Sequence, residues 1–91
     1  MALKWPAKDP NAKKDFGLDW SDFLTTGETI TLSTWEVPTG LTKHDDSISS
    51  AVCLVWISGG TAGQNYTITN SITTSGGRID ERSITLPVKE Q

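Results

Sequence analysis

The side chains that could do chemistry in this chain are few and lie far apart in the sequence. The 91 residues include one histidine, His44, and one cysteine, Cys53, which are too few soft ligands for a zinc site. His44 lies in the charged stretch 43–46, where we expect a solvent-exposed loop. Cys53 lies in the most apolar stretch of the chain, so a buried and inert thiol is expected.

Two further motifs could hold a ligand but lack the residues that such sites require. Asp45, Asp46 and Ser47 could offer oxygen atoms to calcium, but the spaced ligands and bidentate glutamate of a calcium loop are missing. The glycine-containing stretch 59–63 lacks the lysine and hydroxyl residue that follow in a phosphate-binding loop. The titratable residues form no catalytic constellation. We therefore predict a non-enzymatic protein with no cofactor and no bound metal.

Size and charge indicate a small acidic domain. A chain of 91 residues has room for one hydrophobic core. Its formal net charge of −3 argues against nucleic acid as a partner, because neutralising phosphates requires clustered basic residues. The start shows no signal sequence and no apolar run could span a bilayer, so we expect synthesis in the cytoplasm and no membrane partner. A mixed solvated face is predicted for the clustered lysines, Lys4, Lys8, Lys13 and Lys14.

The elements that must position these residues are short β-strands. Thr, Ser and β-branched residues are abundant, and Gly or Pro interrupts the chain about every ten residues, which is typical of an antiparallel β-sandwich. In the strand predicted over 28–37, the apolar residues change face between Leu32 and Trp35. This change implies a bulge near Ser33 and Thr34, or a strand that crosses between sheets. Further strands are predicted over 51–58, over 66–73, and around Ile84, Leu86 and Val88.

The last two strands are predicted to form a hairpin at residues 75–78. A three-residue loop over 76–78 keeps both apolar sets on one face, with Gly76 or Gly77 at positive φ. This register points Asn70 inward and pairs Thr74 with Asp80, Ile72 with Arg82, Asn70 with Ile84, Ile68 with Leu86 and Tyr66 with Val88. Pro87 lacks an amide donor, so its strand is predicted to lie at a sheet edge.

We predict specific roles for two polar side chains of the hairpin. Tyr66 begins its strand, as in a tyrosine corner. Arg82 shares a face with Ile84, so we expect it to be partly buried and paired with Asp80 or hydrogen-bonded to Asn70.

The strand over 51–58 is apolar on both faces. Cys53, Val55 and Ile57 alternate with Val52, Leu54 and Trp56, whereas only one face of a two-layer sandwich meets the core. The second face therefore needs a cover, either a neighbouring subunit or the N-terminal segment with its aromatic residues Trp5, Phe16, Trp20 and Phe23.

The four tryptophans, Trp5, Trp20, Trp35 and Trp56, are distributed one to each predicted segment. This spacing favours core and interface anchors over an exposed sugar-binding platform. Trp56 is predicted to lie in the core or a subunit interface, and Trp5 to be a docking anchor. The candidate interface residues are Trp5, Phe16, Trp20, Phe23, Trp56 and Arg78.

Several motifs follow one another along most of the chain. They are Trp5-Pro-Ala-Lys-Asp-Pro10, Asp15-Phe-Gly-Leu-Asp-Trp20, Thr29 to Trp35 with Val37-Pro38, and Ser58 to Gly63 continuing through Tyr66 to Asn70 and on to Gly77 to Ser83. Taken together and in this order, they resemble the phage fibre-tail adaptor proteins, which are small immunoglobulin-like virion proteins of tailed bacteriophages and prophages. The resemblance departs from the expected pattern at Lys13-Lys14 and at Cys53.

The resemblance implies an all-β, Ig-like antiparallel β-sandwich over residues 25–91, with residues 1–24 as an extended segment that packs on its own or a neighbouring domain. The implied function is a structural protein of the virion tail that attaches tail fibres to the tail. Its partners would be tail and fibre proteins, with several copies around the tail axis. Two alternatives stay open: a capsid decoration or head-tail connection protein on the same fold, and a carbohydrate-binding module, which requires an exposed row of tryptophans.

Overall fold

Two β-sheets packed face to face make up the computed structural model, which describes residues 3–90. The four-stranded sheet has the order β1-β7-β6-β3 and the three-stranded sheet has the order β2-β5-β4. The strands are β1 (Leu3–Lys4), β2 (Lys14–Asp19), β3 (Ile30–Glu36), β4 (Leu41–Ser49), β5 (Val52–Gly59), β6 (Asn65–Thr74) and β7 (Ile79–Pro87). No helix in residues 3–90 is long and apolar enough to cross a membrane. The predicted all-β sandwich is confirmed.

Alternate residues of the central strands build the core. Successive side chains of a strand point to opposite faces, and in β5, β6 and β7 burial alternates accordingly. In β5 the core-facing set is Cys53, Val55 and Ile57, a choice between two apolar faces that the sequence left open. The almost completely buried apolar side chains are Trp20, Cys53, Val55, Ile57, Ile68, Ile72, Ile84, Leu86 and Val88.

The polar side chain of Asn70 is completely buried in this core and points inward, as predicted. Its Oδ1 accepts a 2.8 Å hydrogen bond from Nε1 of Trp20. Its Nδ2 donates to Oγ of Ser33 at 3.0 Å and to the carbonyl oxygen of Thr34 at 2.9 Å. A buried amide without these partners would destabilise the fold. With them, Asn70 ties the end of β2 to β3.

The N-terminal residues lie against strands β7 and β2. The backbone amide of Trp5 donates to the carbonyl of Thr85 at 2.9 Å, and its indole stacks on Phe16 with centroids 4.7 Å apart. The indole Nε1 donates to the carbonyl of Gly17 at 3.0 Å. Segment 3–9 therefore fills one side of the sandwich.

Lys8 contradicts the prediction of a solvated lysine face. Its side chain is completely buried, and its Nζ donates to the backbone carbonyls of Asp9 and Gly59, each at 2.7 Å. Carbonyl oxygens replace water around the ammonium group, while burial lowers the pKa of Lys8. The prediction was wrong because Gly59 lies far from Lys8 in the sequence.

Residues 43–46 lie in β4 and not in the predicted loop. β4 is the outer strand of its sheet, and apart from Leu41 its side chains are exposed, so a strand can carry charges on both faces. Its register with β5 shifts between Lys43 and Asp46, and these two side chains form a 3.0 Å ion pair.

The predicted bulge in the first long strand exists, but at a different place. The register of β3 with β6 shifts between Ile30 and Leu32, two residues before the predicted Ser33 and Thr34. Ile30 is 7% exposed and Leu32 is 55% exposed. The prediction placed Ile30 and Leu32 on the same face of the strand, whereas the bulge between them turns Leu32 to the outer face.

The β6–β7 hairpin has the predicted faces and a different register. Its loop is Ser75–Gly77: the amide of Gly77 donates to the carbonyl of Thr74, and that of Thr74 to the carbonyl of Arg78. Gly77 has φ of 83°, as predicted, because the third position of such a loop is left-handed. The pairs are Ile72 with Asp80, Asn70 with Arg82, Ile68 with Ile84 and Tyr66 with Leu86. This shift of two residues leaves every side chain on its predicted face.

β7 is not the predicted edge strand, because β1 pairs outside it at Ile84 and Thr85. The amide of Val88 donates to the carbonyl of Gln64, so even-numbered residues of β7 bond to β6. The nitrogen of Pro87 consequently faces away from β6, and its missing donor removes no bond from that ladder. At the start of β6, the hydroxyl of Tyr66 accepts a 2.9 Å bond from the amide of Thr61, which confirms the tyrosine corner.

Candidate protein-interaction surface

The outward face of β5 carries an apolar patch. Cys53, Val55 and Ile57 face the core, so Val52, Leu54 and Trp56 point away from it. Val52 and Leu54 are half-buried and Trp56 is 40% exposed. We name Val52, Leu54 and Trp56 the β5 patch.

On one side the β5 patch extends over the backbone of β2. Gly17 lies opposite Leu54, and a Cβ atom at Gly17 would lie 3.1 Å from Cδ2 of Leu54 and 3.2 Å from Cγ1 of Val52. The two aliphatic side chains thus occupy the space that a side chain at Gly17 would need. Asp15 lies opposite Trp56 and Asp19 opposite Val52, which gives the patch an acidic flank.

On the other side the flank is formed by hydroxyl groups of β4. Ser47 lies opposite Leu54 and Ser49 opposite Val52. At the end of the strand, Nε2 of His44 lies 2.7 Å from Oγ of Ser58. An exposed indole and aliphatic groups inside a polar rim are the composition of a protein-binding hot spot.

The N-terminal segment does not cover the β5 patch within residues 3–90. Phe16 pairs with Val55 and Leu18 with Cys53, and cross-strand partners share a face, so these side chains point into the core. Trp5 and Trp20 are buried there as well. Of the two covers that the sequence suggests, the neighbouring subunit stays a prediction.

The six predicted interface residues lie in different surroundings. Trp5 and Phe16 are each 8% exposed and Trp20 is 0% exposed, and Phe23 is half-buried. Trp56 and Arg78 are exposed. Trp5 stacks on Phe16, and Trp20 meets Phe23 edge to face at 5.6 Å, whereas Trp56 lies apart on the outer face. An interface role for the six stays a prediction.

Arg78 is already engaged by its own chain. Its guanidinium lies 4.1 Å from the centroid of Phe23 and pairs with Glu28. Glu28 also accepts bonds from the Thr25 amide at 3.0 Å and from the Thr74 hydroxyl. These donors, Arg78 first, hold the pKa of Glu28 well below its usual range. Arg78 thereby ties the β6–β7 hairpin to the turn before β3.

Arg82 is partly buried, as predicted, but its partner is neither Asp80 nor Asn70. Its guanidinium lies 4.3 Å from the centroid of Trp20 and forms a 3.0 Å ion pair with Asp22. The turn after β2 brings Asp22 to this position, a long-range contact that the β7 sequence does not indicate.

Two exposed apolar residues on the other sheet were not among the predicted sites. Leu32 of β3 and Ile79 of β7 both lie opposite Thr73 of β6, so the three form one outward row. Leu32 is 55% exposed and Ile79 is 76% exposed. The sequence contained a signal for Ile79. Side chains alternate between the two faces of a strand, so Ile79, at an odd-numbered position, points outward when the even-numbered Ile84 and Leu86 point inward.

Metal-ligating and nucleophilic side chains are also present among the described residues. No group of three or more His, Cys, Asp or Glu side chains within residues 3–90 could hold a metal ion. Burial raises the pKa of the Cys53 thiol, which disfavours the reactive thiolate.

Comparison with known proteins assigns the fold and the family. Among solved structures, the chain is similar to the PKD domain from the KIAA 1837 protein, with a TM-score of 0.61 and 21% identity over 100% of this chain and 83% of that chain. At this identity the likeness shows the fold alone, and it confirms the Ig-like sandwich. A comparison with curated proteins finds no match. The profile of the family described as podophage GP4 fiber-tail adaptor protein gp77 matches residues 8–87. The family predicted from the sequence is confirmed, and the chain belongs to the podophage GP4 fibre-tail adaptor family.

Proposed function

We propose that this chain attaches tail fibres to the phage tail and that the β5 patch is the surface on which a neighbouring virion protein docks. The observation that carries the proposal is the exposed Trp56 beside Val52 and Leu54 on the outer face of a regular sheet. The family match supports the tail and fibre proteins as the class of partner.

The composition of the β5 patch specifies a partner surface. Burying apolar area stabilises a complex by about 25 cal/mol per Å², and tryptophan is among the residues that contribute most to binding. Asp15 and Asp19 flank the patch, so a fitting partner carries an apolar ridge with lysine or arginine beside it.

The mechanism is geometric. A sandwich whose core contains β5 presents the β5 patch with little conformational freedom, so little entropy is lost on docking. Several copies around the tail axis convert weak single contacts into a durable attachment. The buried candidates Trp5, Phe16 and Trp20 contribute by fixing the sheet that carries Trp56.

The alternatives predict different behaviour. A carbohydrate platform needs a row of exposed aromatic rings, and Trp56 is the one tryptophan of the four that is exposed. A capsid decoration or head-tail connection protein would use the same β5 patch at another place in the virion, so its location separates it from an adaptor.

The test is attachment of the purified chain to fibreless tails of the phage that encodes it. Trp56→Ala should weaken attachment by about 30-fold or more, which corresponds to about 2 kcal/mol, with an unchanged unfolding midpoint. Ile79→Ala removes an apolar side chain that is even more exposed, on the other sheet, and serves as the control. Equal attachment of Trp56→Ala and the unaltered chain, or attachment to heads in place of tails, would contradict the proposal.

A further inference from the structure

The outer strands of the two sheets differ in how well they are protected against pairing with another chain. β1 has two residues. β2 carries the charged residues Lys14, Asp15 and Asp19, and the carbonyl of its Gly17 accepts a hydrogen bond from the indole of Trp5. β4 carries a bulge and the run Lys43-His-Asp-Asp46. After its own bulge, β3 continues for five regular residues with Glu36 as the single charge, and charge is a common protection of edge strands.

The backbone of β3 faces outward at Ser33 and Trp35. The amide of Thr74 donates to Arg78 and that of Val88 to Gln64, so the even-numbered residues of β6 bond to β7. Hydrogen-bonded pairs alternate along an antiparallel ladder, so the odd-numbered residues of β6 bond to β3. The amide and carbonyl groups of Ser33 and Trp35 therefore point to the open edge, because β3 is the last strand of its sheet.

The core side of β4 is incompletely covered. β3 and β4 are end strands of the two sheets and lie close to each other. Ile48 lies opposite Cys53 and hence on the core side of β4, yet it is 40% exposed. A strand added beside β3 would extend the four-stranded sheet on this side of the sandwich.

The outer face of β3 provides a second contact for an added strand. Alternate side chains of β3 point outward, namely Leu32, Thr34 and Glu36. Leu32 lies at the end of the outward row that continues through Thr73 to Ile79. An added strand would place one side chain beside Leu32 and another beside Glu36.

We propose that β3 accepts an extended segment of another virion protein as a fifth strand of the four-stranded sheet. The segment carries an apolar residue beside Leu32 and a lysine or arginine beside Glu36. Its backbone bonds to Ser33 and Trp35 provide affinity, and these alternate side chains provide specificity. This surface belongs to the other sheet and is separate from the β5 patch.

A second copy of the chain fits this edge poorly. In a symmetric antiparallel pair of β3 strands, the register centred on Thr34 sets Leu32 against Glu36, and the register centred on Ser33 sets it against Thr34. Only a pair centred on Leu32 itself brings the two leucines together, and it then runs into the bulge between Ile30 and Leu32. The complementary chemistry therefore lies in a different protein.

The experiment uses the full chain, isotope-labelled, with overlapping 12-residue synthetic peptides that cover the tail and fibre proteins of the phage that encodes it. We expect one peptide to shift the amide signals of Ser33 and Trp35 and to slow their exchange with solvent. Leu32→Lys should weaken that peptide at least tenfold. Ile79→Lys puts the same charge in the same row two strands away from the edge, and it should change the affinity less than threefold.

Three outcomes at the β3 edge itself would overturn the inference. They are the absence of any peptide that protects Ser33 and Trp35, protection of these amides in the free chain by self-association, and equal weakening by Leu32→Lys and Ile79→Lys. Thermal unfolding of both variants confirms that they are folded. Peptides that shift only Val52, Leu54 and Trp56 would also overturn it while leaving the proposed function intact, and Trp56→Ala separates the two surfaces.

Discussion

One side of the sandwich is covered by the N-terminal segment, and the opposite side is uncovered. On the closed side, β1 pairs with β7, Trp5 stacks on Phe16, and Lys8 is completely buried with its Nζ on two carbonyls. On the open side, formed by β3 and β4, Leu32 and Ile48 are exposed.

The same residue type behaves differently on the two sides. The indole Nε1 of Trp5 donates to the carbonyl of Gly17 at 3.0 Å. The indole Nε1 of Trp35 is buried with no acceptor among residues 3–90. The rings themselves lie 5.8 Å apart in one core. The difference indicates that the N-terminal segment brings a hydrogen-bond acceptor to its own indole, whereas β3 does not.

Removal of Trp5 should have the largest effect, because it opens the closed side. Trp5→Ala deletes a ring that is 8% exposed, together with its stacking on Phe16 and its bond to Gly17. Deleting a buried tryptophan costs about 3–5 kcal/mol. Urea unfolding followed by circular dichroism measures the loss.

The matched control for this prediction is Trp56→Ala. Trp56 is 40% exposed on the outer face, and its removal should cost less than about 1 kcal/mol, since surface substitutions have small effects. Equal losses for the two variants would show that the N-terminal segment does not hold the closed side.

Lowering the pH should weaken the contact between Glu28 and Arg78, which holds the turn before β3. The pKa of Glu28 is held well below its ordinary value of 4.5, first by Arg78. Between the two pKa values the unfolded chain binds a proton at Glu28 that the folded chain does not, so stability falls as pH falls. The contribution is complete above about pH 4.5 and is lost progressively as pH falls through the folded-state pKa of Glu28.

Glu28→Gln tests this pH dependence, because it removes the titrating group and keeps the shape of the side chain. The variant should be less stable than the unaltered chain at pH 7, and the two should converge as pH falls below 4.5. The side chain of Arg78 is 42% exposed, so salt should reduce the difference. Unfolding midpoints that decline in parallel for both chains would refute the role of Glu28.

The faces of the strands could be predicted from the sequence, and their offsets could not. Alternation of apolar residues specifies which way Asn70 and Ile84 point, whatever the loop between them. The offset of the β6–β7 hairpin depends on which residue takes the left-handed position, and adjacent Gly76 and Gly77 leave that choice open. The outward turn of Leu32 depends on a bulge that the pattern allowed at several places.

The candidate surface was predictable only in part for a similar reason. The two apolar faces of β5 are visible in its sequence, and they led to Trp56. The burial of Lys8 is not visible, because its acceptor on Gly59 is brought close only by the fold. The spacing of Phe16 and Leu18 was the available signal that β2 points its apolar side chains into the core and leaves the β5 patch bare.

The smallest expected effect comes from removing the two indole N–H groups in turn. Trp5→Phe leaves the Gly17 carbonyl without the donor that it has now, which should cost about 1–2 kcal/mol with the lost area. Trp35→Phe loses similar area but removes a buried donor that has no acceptor among residues 3–90, and an unsatisfied donor costs about 1–3 kcal/mol. The free energy of unfolding of Trp35→Phe should therefore lie within about 1 kcal/mol of that of the unaltered chain. A loss for Trp35→Phe as large as that for Trp5→Phe, measured by urea unfolding, would mean that the Trp35 indole has an acceptor and that the two sides are equally satisfied.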